Sequence, residues 1–206
     1  ELAEFRRDVL NQLRQPLEQG ELWLSRARQR LRFPCRLTLV AATNPCPCGW
    51  WGDAERPCRC GAGQRQRYWG RIAGPLLDRI DLQVVLRRLS AEELGPRQPW
   101  LPQAEPSQAV AQRVLAARAR MARRNPKGVP NSQLQGEALR ELTGLDREAL
   151  ELWQGAIRQR GLSARGADRL LRVARTIADL DDEAVVGPGA IAEALSYRSF
   201  DQLLPL

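Results

Sequence analysis

Apolar positions follow three successive patterns along the chain. From the first residues they fall at helical spacing: Leu2, Phe5, Val9, Leu13 and Leu17 form one stripe, and the helix is predicted to stop between Pro16 and Gly20. Shorter stretches suited to strands come next. "ELWLSRA" (Glu21 to Ala27) and "QRLRF" (Gln29 to Phe33) read as a hairpin, although no Asn-Gly turn joins them. "CRLTLVAATN" (Cys35 to Asn44) reads as a buried parallel-type strand, because Leu37, Leu39 and Val40 are followed by small residues. A short helix is expected in "GQRQRYWGRIAG", closed by Gly74-Pro75, and "LLDRIDLQVVL" leads into a second buried strand from Ile80 to Leu86.

Periodicity fades from Ser90 to Ser107, where Pro96, Pro99, Pro102 and Pro106 mark a linker. Helical spacing then takes over. Val110, Val114, Ala117 and Met121 share one face of a helix whose neighbouring face carries Arg113, Arg120, Arg124 and Lys127. Two further helices are predicted, one over Asp146 to Arg160 with Leu150, Trp153 and Ile157, the other opened by Ser163 with Leu170, Ala174 and Ile177 inward. Pro188 suits the first turn of a last helix ending near Tyr197. The pattern predicts an incomplete α/β unit, a proline-rich hinge and a helical bundle. A sequence already in helical register at its first residue is expected to be a piece of a longer protein.

Composition narrows the chemistry. At 206 residues and 43% hydrophobic, the chain can bury one good-sized core or two small ones. Its net charge of +8 favours contact with something anionic, although a solvated surface explains the same arginines. Histidine is absent, which removes Ser-His-Asp, Cys-His and histidine-metal chemistry. No apolar run reaches membrane-spanning length, so a cytoplasmic protein without membrane contact is expected. In a reducing compartment, clustered cysteines bind metal more often than they form disulfides.

Such a cluster exists: Cys46-Pro-Cys48, then Cys58-Arg-Cys60 across a short loop bearing Gly49, Gly52 and Pro57. Four thiolates in two close pairs can supply a tetrahedral structural zinc site; free thiols or redox pairs are the alternatives. Such a site has no open position for substrate, so it folds a loop and does not catalyse. Cys35 stands apart as a small apolar residue. Asn44 closes the expected strand, where α/β sheets place ligand-contacting groups, and an Asn-Pro pair also simply starts a turn. Arg79 lies between Asp78 and Asp81 in "GPLLDRID". It is either a neutralised surface charge or a guanidinium offered to a phosphate on another subunit. Arg165 falls in the first turn of a helix, where a cation opposes the macrodipole unless an anion compensates.

Taken together, "AATNPCPCG" with "CRC", "GPLLDRIDL", and "LSARGADRLLRVARTIADL" resemble the ComM/YifB family of magnesium-chelatase-like AAA+ ATPases. The likeness runs through nearly the whole chain and is weakest in the linker. The fold it implies is α/β: the second half of an AAA+ P-loop NTPase core over 1–89 with a four-cysteine loop at 45–61, a linker at 90–107, and an all-α helical lid over 108–206. By resemblance Glu1 matches the Walker B glutamate that polarises the attacking water, and Asn44 matches sensor 1. Arg79 matches the arginine finger that reaches a neighbour's γ-phosphate, and Arg165 the sensor 2 arginine. The hairpin at 21–33 corresponds to the one that precedes sensor 1 and projects toward the central pore.

The P-loop pattern G-x-x-x-x-G-K-[ST] does not occur in the 206 residues, so the chain alone is not expected to bind or hydrolyse ATP well. The resemblance implies ATP with Mg²⁺ in the complete protein, structural Zn²⁺, a homo-oligomeric ring that is hexameric, and DNA as partner, with helicase or branch-migration activity in recombination of incoming DNA. Two other functions fit parts of the sequence. One is a zinc-ribbon module binding nucleic acid through Trp50, Trp51 and Arg59; the other is a magnesium-chelatase motor subunit.

Overall fold

A computed structural model describes residues 1–26, 29–72, 74–96 and 104–198. Pro99, Pro102 and the end of the helical region beyond 198 lie outside the described residues. The chain divides into two units, one built from residues 1–80 with 86–88, the other from 81–85 with 89–198.

In the first unit the helical opening is shorter than its stripe predicts. A 3-10 turn (Leu2–Glu4) precedes α1 (Arg7–Gln12) and α2 (Arg14–Gln19), which meet at Leu13. This break changes the inward face: Ala3 and Leu10 are buried, whereas Phe5 and Val9 are exposed. Gly20, at φ +66°, closes α2 in the left-handed conformation and turns the chain into a hairpin. There β1 (Glu21–Arg26) pairs antiparallel with β2 (Gln29–Pro34), in a register that sets Trp23 opposite Arg32 and Leu24 opposite Leu31. One face of the hairpin carries Leu22, Leu24, Leu31 and Phe33; the other carries Glu21, Trp23, Arg30 and Arg32. After the cysteine loop, α3 (Ala62–Trp69) supplies Tyr68 and Trp69 to a small core with Ala3, Leu10, Ile72 and Leu76.

Two expected strands do not form a ladder among the described residues. Residues 35–44 make no strand pairing; the amide of Leu2 donates to the carbonyl of Ala42 at 2.8 Å, and Val40 is 90% exposed. Residues 80–86 make one isolated bridge, Gln83 with Arg198, and leave Leu82, Val84, Val85 and Leu86 exposed. Apolar composition gives a segment the tendency to be a central strand, but a strand exists only where another backbone accepts and donates alongside it.

The second unit is helical. A short helix, α4 (Ala91–Leu94), capped reciprocally by Ser90 and Glu93, stands inside the stretch expected to be plain linker. Then come α5 (Ser107–Arg124), α6 (Gly136–Thr143), α7 (Arg147–Arg160), α8 (Ala164–Leu180) and α9 (Pro188–Ser196). The pattern missed α6, whose eight residues span barely two turns. Local chemistry explains the boundaries. Asp146 accepts from the Ala149 amide, Ser163 from the Gly166 amide, Pro188 starts α9, and Gly144 and Gly161 end helices at positive φ.

Helix α8 is the axis of the unit. Its Leu170, Leu171, Ala174, Ile177 and Ala178 pack with Leu139, Ala149, Ala156, Val186, Ile191 and Leu195. In α7 the innermost residues are Ala149 and Ala156 with Trp153 beside them, and Leu150 faces out. In α5 only Ala117 and Met121 are buried; Val110 and Val114 are exposed.

The basic face of α5 is largely answered within the chain. Arg113 pairs with Glu105, Arg120 with Asp182, and Arg124 binds both carboxylate oxygens of the fully buried Asp179. Asn131 and Arg175 complete the shell around that carboxylate at 2.8 and 3.1 Å. Arg175 is itself 1% exposed and donates to the carbonyls of Thr143, Glu183 and Ala184. No helix among the described residues is long and apolar enough to cross a membrane.

Candidate functional site

Beyond Asn44 the chain bends into the cysteine loop. Gly49 and Gly52, at φ +80° and +87°, turn it where side-chain-bearing residues would be strained. The Asp53 carboxylate accepts the amides of Glu55 and Arg56, which hold its pKa below the ordinary carboxylate value. The Trp69 indole donates to the Pro45 carbonyl at 2.9 Å and ties the start of the loop to α3. These constraints gather Cys46, Cys48, Cys58 and Cys60, whose sulfurs all lie within 4.8 Å of one another.

Adjacent Sγ atoms are 3.4, 3.6 and 3.7 Å apart. Those separations exceed the bonding distance of a disulfide, about 2.05 Å. They approach the roughly 3.8 Å edge of a tetrahedron with metal–sulfur bonds of about 2.3 Å. The donor set therefore fits one tetrahedral thiophilic ion such as zinc. Without a metal charge the thiols are electrostatically unequal. Amides of Trp50 and Arg59 directed at Cys48 pull its pKa down to about 6, while desolvation and the neighbouring Cys48 sulfur push Cys60 up to about 12. Amides aimed at a sulfur stabilise thiolate, the form that binds metal.

Trp50 and Trp51 are half-buried and already covered by cations. Arg56 and Arg88 lie 4.5 and 5.7 Å from the Trp50 ring, and Arg65 lies 5.4 Å from Trp51. Arg59 is exposed.

The remaining candidates separate by position. The Leu2–Ala42 hydrogen bond joins the backbone one residue after Glu1 to the backbone two residues before Asn44. Both residues are exposed, Glu1 just before the Leu2–Glu4 turn and Asn44 at the end of the 35–44 segment. Arg79 turns away from its sequence neighbours Asp78 and Asp81 to bind Glu18 and the Pro75 carbonyl. Its Nε donates to Glu18 at 3.1 Å, a second nitrogen donates to the same oxygen, and the third reaches the Pro75 carbonyl. The Arg79 side chain is only 8% exposed. Arg165 is exposed in the first turn of α8, within the second unit.

Sequence reasoning did not single out Glu18, Arg65 or Trp69. Glu18 and Trp69 are used by partners 61 and 24 positions away and Arg65 by a ring contact, and no short motif announces such contacts.

Residues 1–94 match the family described as magnesium chelatase, subunit ChlI, and residues 104–198 match the ChlI C-terminal family. YifB of Escherichia coli is 39% identical over 204 residues, covering 99% of this chain and 39% of YifB. The competence protein ComM of Haemophilus influenzae is 39% identical over 208 residues, again covering 99% of this chain and 39% of the relative. Rv2897c of Mycobacterium tuberculosis is 38% identical over 200 residues, 96% of this chain and 38% of the relative. The chain thus spans about two fifths of the length of the curated relatives it matches. With both ChlI models matched in order and YifB and ComM similar across nearly its full length, the chain belongs to the magnesium-chelatase-like family that includes those two proteins.

Proposed function

We propose that these residues form the nucleotide-responsive part of a ring-forming AAA+ ATPase that works on DNA. In this reading 1–89 is the second part of the α/β core, 90–107 the linker and 108–206 the lid. The observation that carries it is the backbone bond from Leu2 to Ala42, which sets the segments of Glu1 and Asn44 side by side, as a water-polarising glutamate and a water-positioning amide require. Glu1 orients the attacking water, Asn44 holds it in line, and Arg165 contacts nucleotide phosphate. Arg79 neutralises charge developing on a γ-phosphoryl group bound by the adjacent subunit. ATP and Mg²⁺ are bound by a P-loop, a motif not found in the 206 residues. Zinc held by the four cysteines folds the loop next to Asn44 and takes no part in the chemistry.

The relative described as a competence protein supports DNA as the substrate, with branch migration or unwinding of incoming DNA in the cytoplasm by a hexameric ring. The net charge of +8 is compatible with that partner. The test joins these residues to a P-loop segment of the same family and measures steady-state ATP hydrolysis. Arg79→Ala is expected to lower turnover by about 10³- to 10⁵-fold, the usual weight of a trans arginine finger. Turnover close to that of the unsubstituted protein would remove Arg79 from the reaction.

A further inference from the structure

Arg79 lines an open groove of about 610 Å³ between the α1–α2 helices and the hairpin, with Arg14, Gln15, Leu22 and Leu24 among its walls. The guanidinium does not project freely into that space. All three of its nitrogens are engaged, two on one oxygen of Glu18 and one on the Pro75 carbonyl, and 8% of the side chain is exposed. Glu18 is 30% exposed, sits in the last turn of α2, and reaches Arg79 across 61 residues of sequence.

A guanidinium so engaged cannot form a second bidentate contact with a phosphate until it gives up a carboxylate. We infer that Glu18 is a positioning residue for Arg79, an intrachain counter-ion that holds the guanidinium at the groove wall until a polyphosphate displaces it. The inference rests on the finger reading of Arg79 for its consequence in hydrolysis, but not for the contact itself. Three properties of the pair fit such a role. Glu18 lies within α2, just before the Gly20 cap, so the helix sets its backbone. The Pro75 carbonyl supplies a neutral acceptor that can keep one nitrogen while the other two change partner. A carboxylate in the groove also repels stray anions, so that only a highly charged ligand competes well.

The sign of the effect distinguishes a restraint from a mere structural prop. In the 206-residue chain, modification by phenylglyoxal, mapped by peptide mass, is expected to be slow at Arg79 compared with Arg147, whose side chain is 91% exposed. Glu18→Gln should raise the Arg79 rate about tenfold, the order expected when the contact loses its charge but keeps an acceptor oxygen, and leave Arg147 unchanged. Glu18→Asp, which keeps the charge, should restore part of the protection. An unchanged Arg79 rate in Glu18→Gln overturns the inference, and a rise at every arginine shows global unfolding, in which case the Glu18→Asp chain decides: exposure equal to that of Glu18→Gln also overturns it.

In the chain joined to a P-loop segment, Glu18→Gln should lower the KM for ATP without lowering kcat. That effect should vanish in an Arg79→Ala background. Loss of turnover in Glu18→Gln overturns the restraint. Retained turnover in Arg79→Ala overturns the finger reading alone, because the modification experiment still reports whether Glu18 holds Arg79.

Discussion

The buried carboxylate of Asp179 is the most exposed point in the energetics of the helical unit. It is 0% exposed, takes both Oδ atoms onto Arg124 at 2.5 and 2.8 Å, and accepts from Asn131 at 2.8 Å. Arg175, 1% exposed, lies 3.1 Å away. Asp179→Asn preserves volume while removing the buried carboxylate charge that faces two guanidinium groups. Its amide nitrogen would also turn a donor toward a donor. Breaking a buried pair in this way typically costs about 3–5 kcal/mol, because the remaining charge stays buried and uncompensated. Against a domain stability of about 5–15 kcal/mol, that is a large fraction.

Urea unfolding of the full chain, followed by circular dichroism at 222 nm, reads the helical unit. With a slope of about 1–1.5 kcal/mol/M for a unit of this size, the midpoint should fall by at least about 2 M. The pH dependence gives an independent check. Burial alone would raise the Asp179 pKa, but hydrogen bonds from Arg124 and Asn131 and the Arg175 charge outweigh it, so the folded value lies below the ordinary one. A lowered carboxyl pKa stabilises the fold fully above the unfolded value, near pH 4, and the stabilisation is lost as pH falls through the folded value. The gap between the two chains should therefore be widest at neutral pH and narrow in acid. A loss below about 1 kcal/mol at pH 7, or a gap independent of pH, would refute the reasoning.

Other outcomes follow from the same geometry. Purified under reducing conditions without chelator, the chain should carry about one zinc per molecule by elemental analysis, and Cys46→Ser or Cys58→Ser should lose most of it; a metal-free, folded unsubstituted chain would exclude the four-thiolate centre. Gly161→Ala should destabilise the helical unit by about 1 kcal/mol, since its φ of +60° strains any side chain although nothing lies within 4 Å of the new Cβ. Gly155→Ala, inside α7 with equally open surroundings, should instead stabilise by about 0.5–1 kcal/mol, and equal signs for the two in thermal unfolding would refute the backbone argument.

The parts of this protein that depend on neighbours in sequence were readable there. Helices α5, α7, α8 and α9 follow from 3.6-residue periodicity and from start signals such as the Ser163 cap and Pro188 in the first turn, because a helix satisfies its own backbone. The cysteine cluster was likewise legible, since two C-x-C pairs across a short loop have few ways to avoid one another. Residues 35–44 and 80–86 show where this reasoning ends: their composition suits strands, but a ladder depends on a second backbone, and among the described residues they meet one only at isolated points, Leu2 with Ala42 and Gln83 with Arg198. Charge was the least legible property. Arg79 stands between two aspartates in sequence and pairs with Glu18, 61 positions away; Arg124 belongs to a basic face and closes on Asp179, 55 positions away. Sequence determined which side chains could be charged or bind metal, and tertiary structure alone decided which charges meet, because a guanidinium takes the carboxylate that folding brings within hydrogen-bonding distance and not the one beside it in the chain.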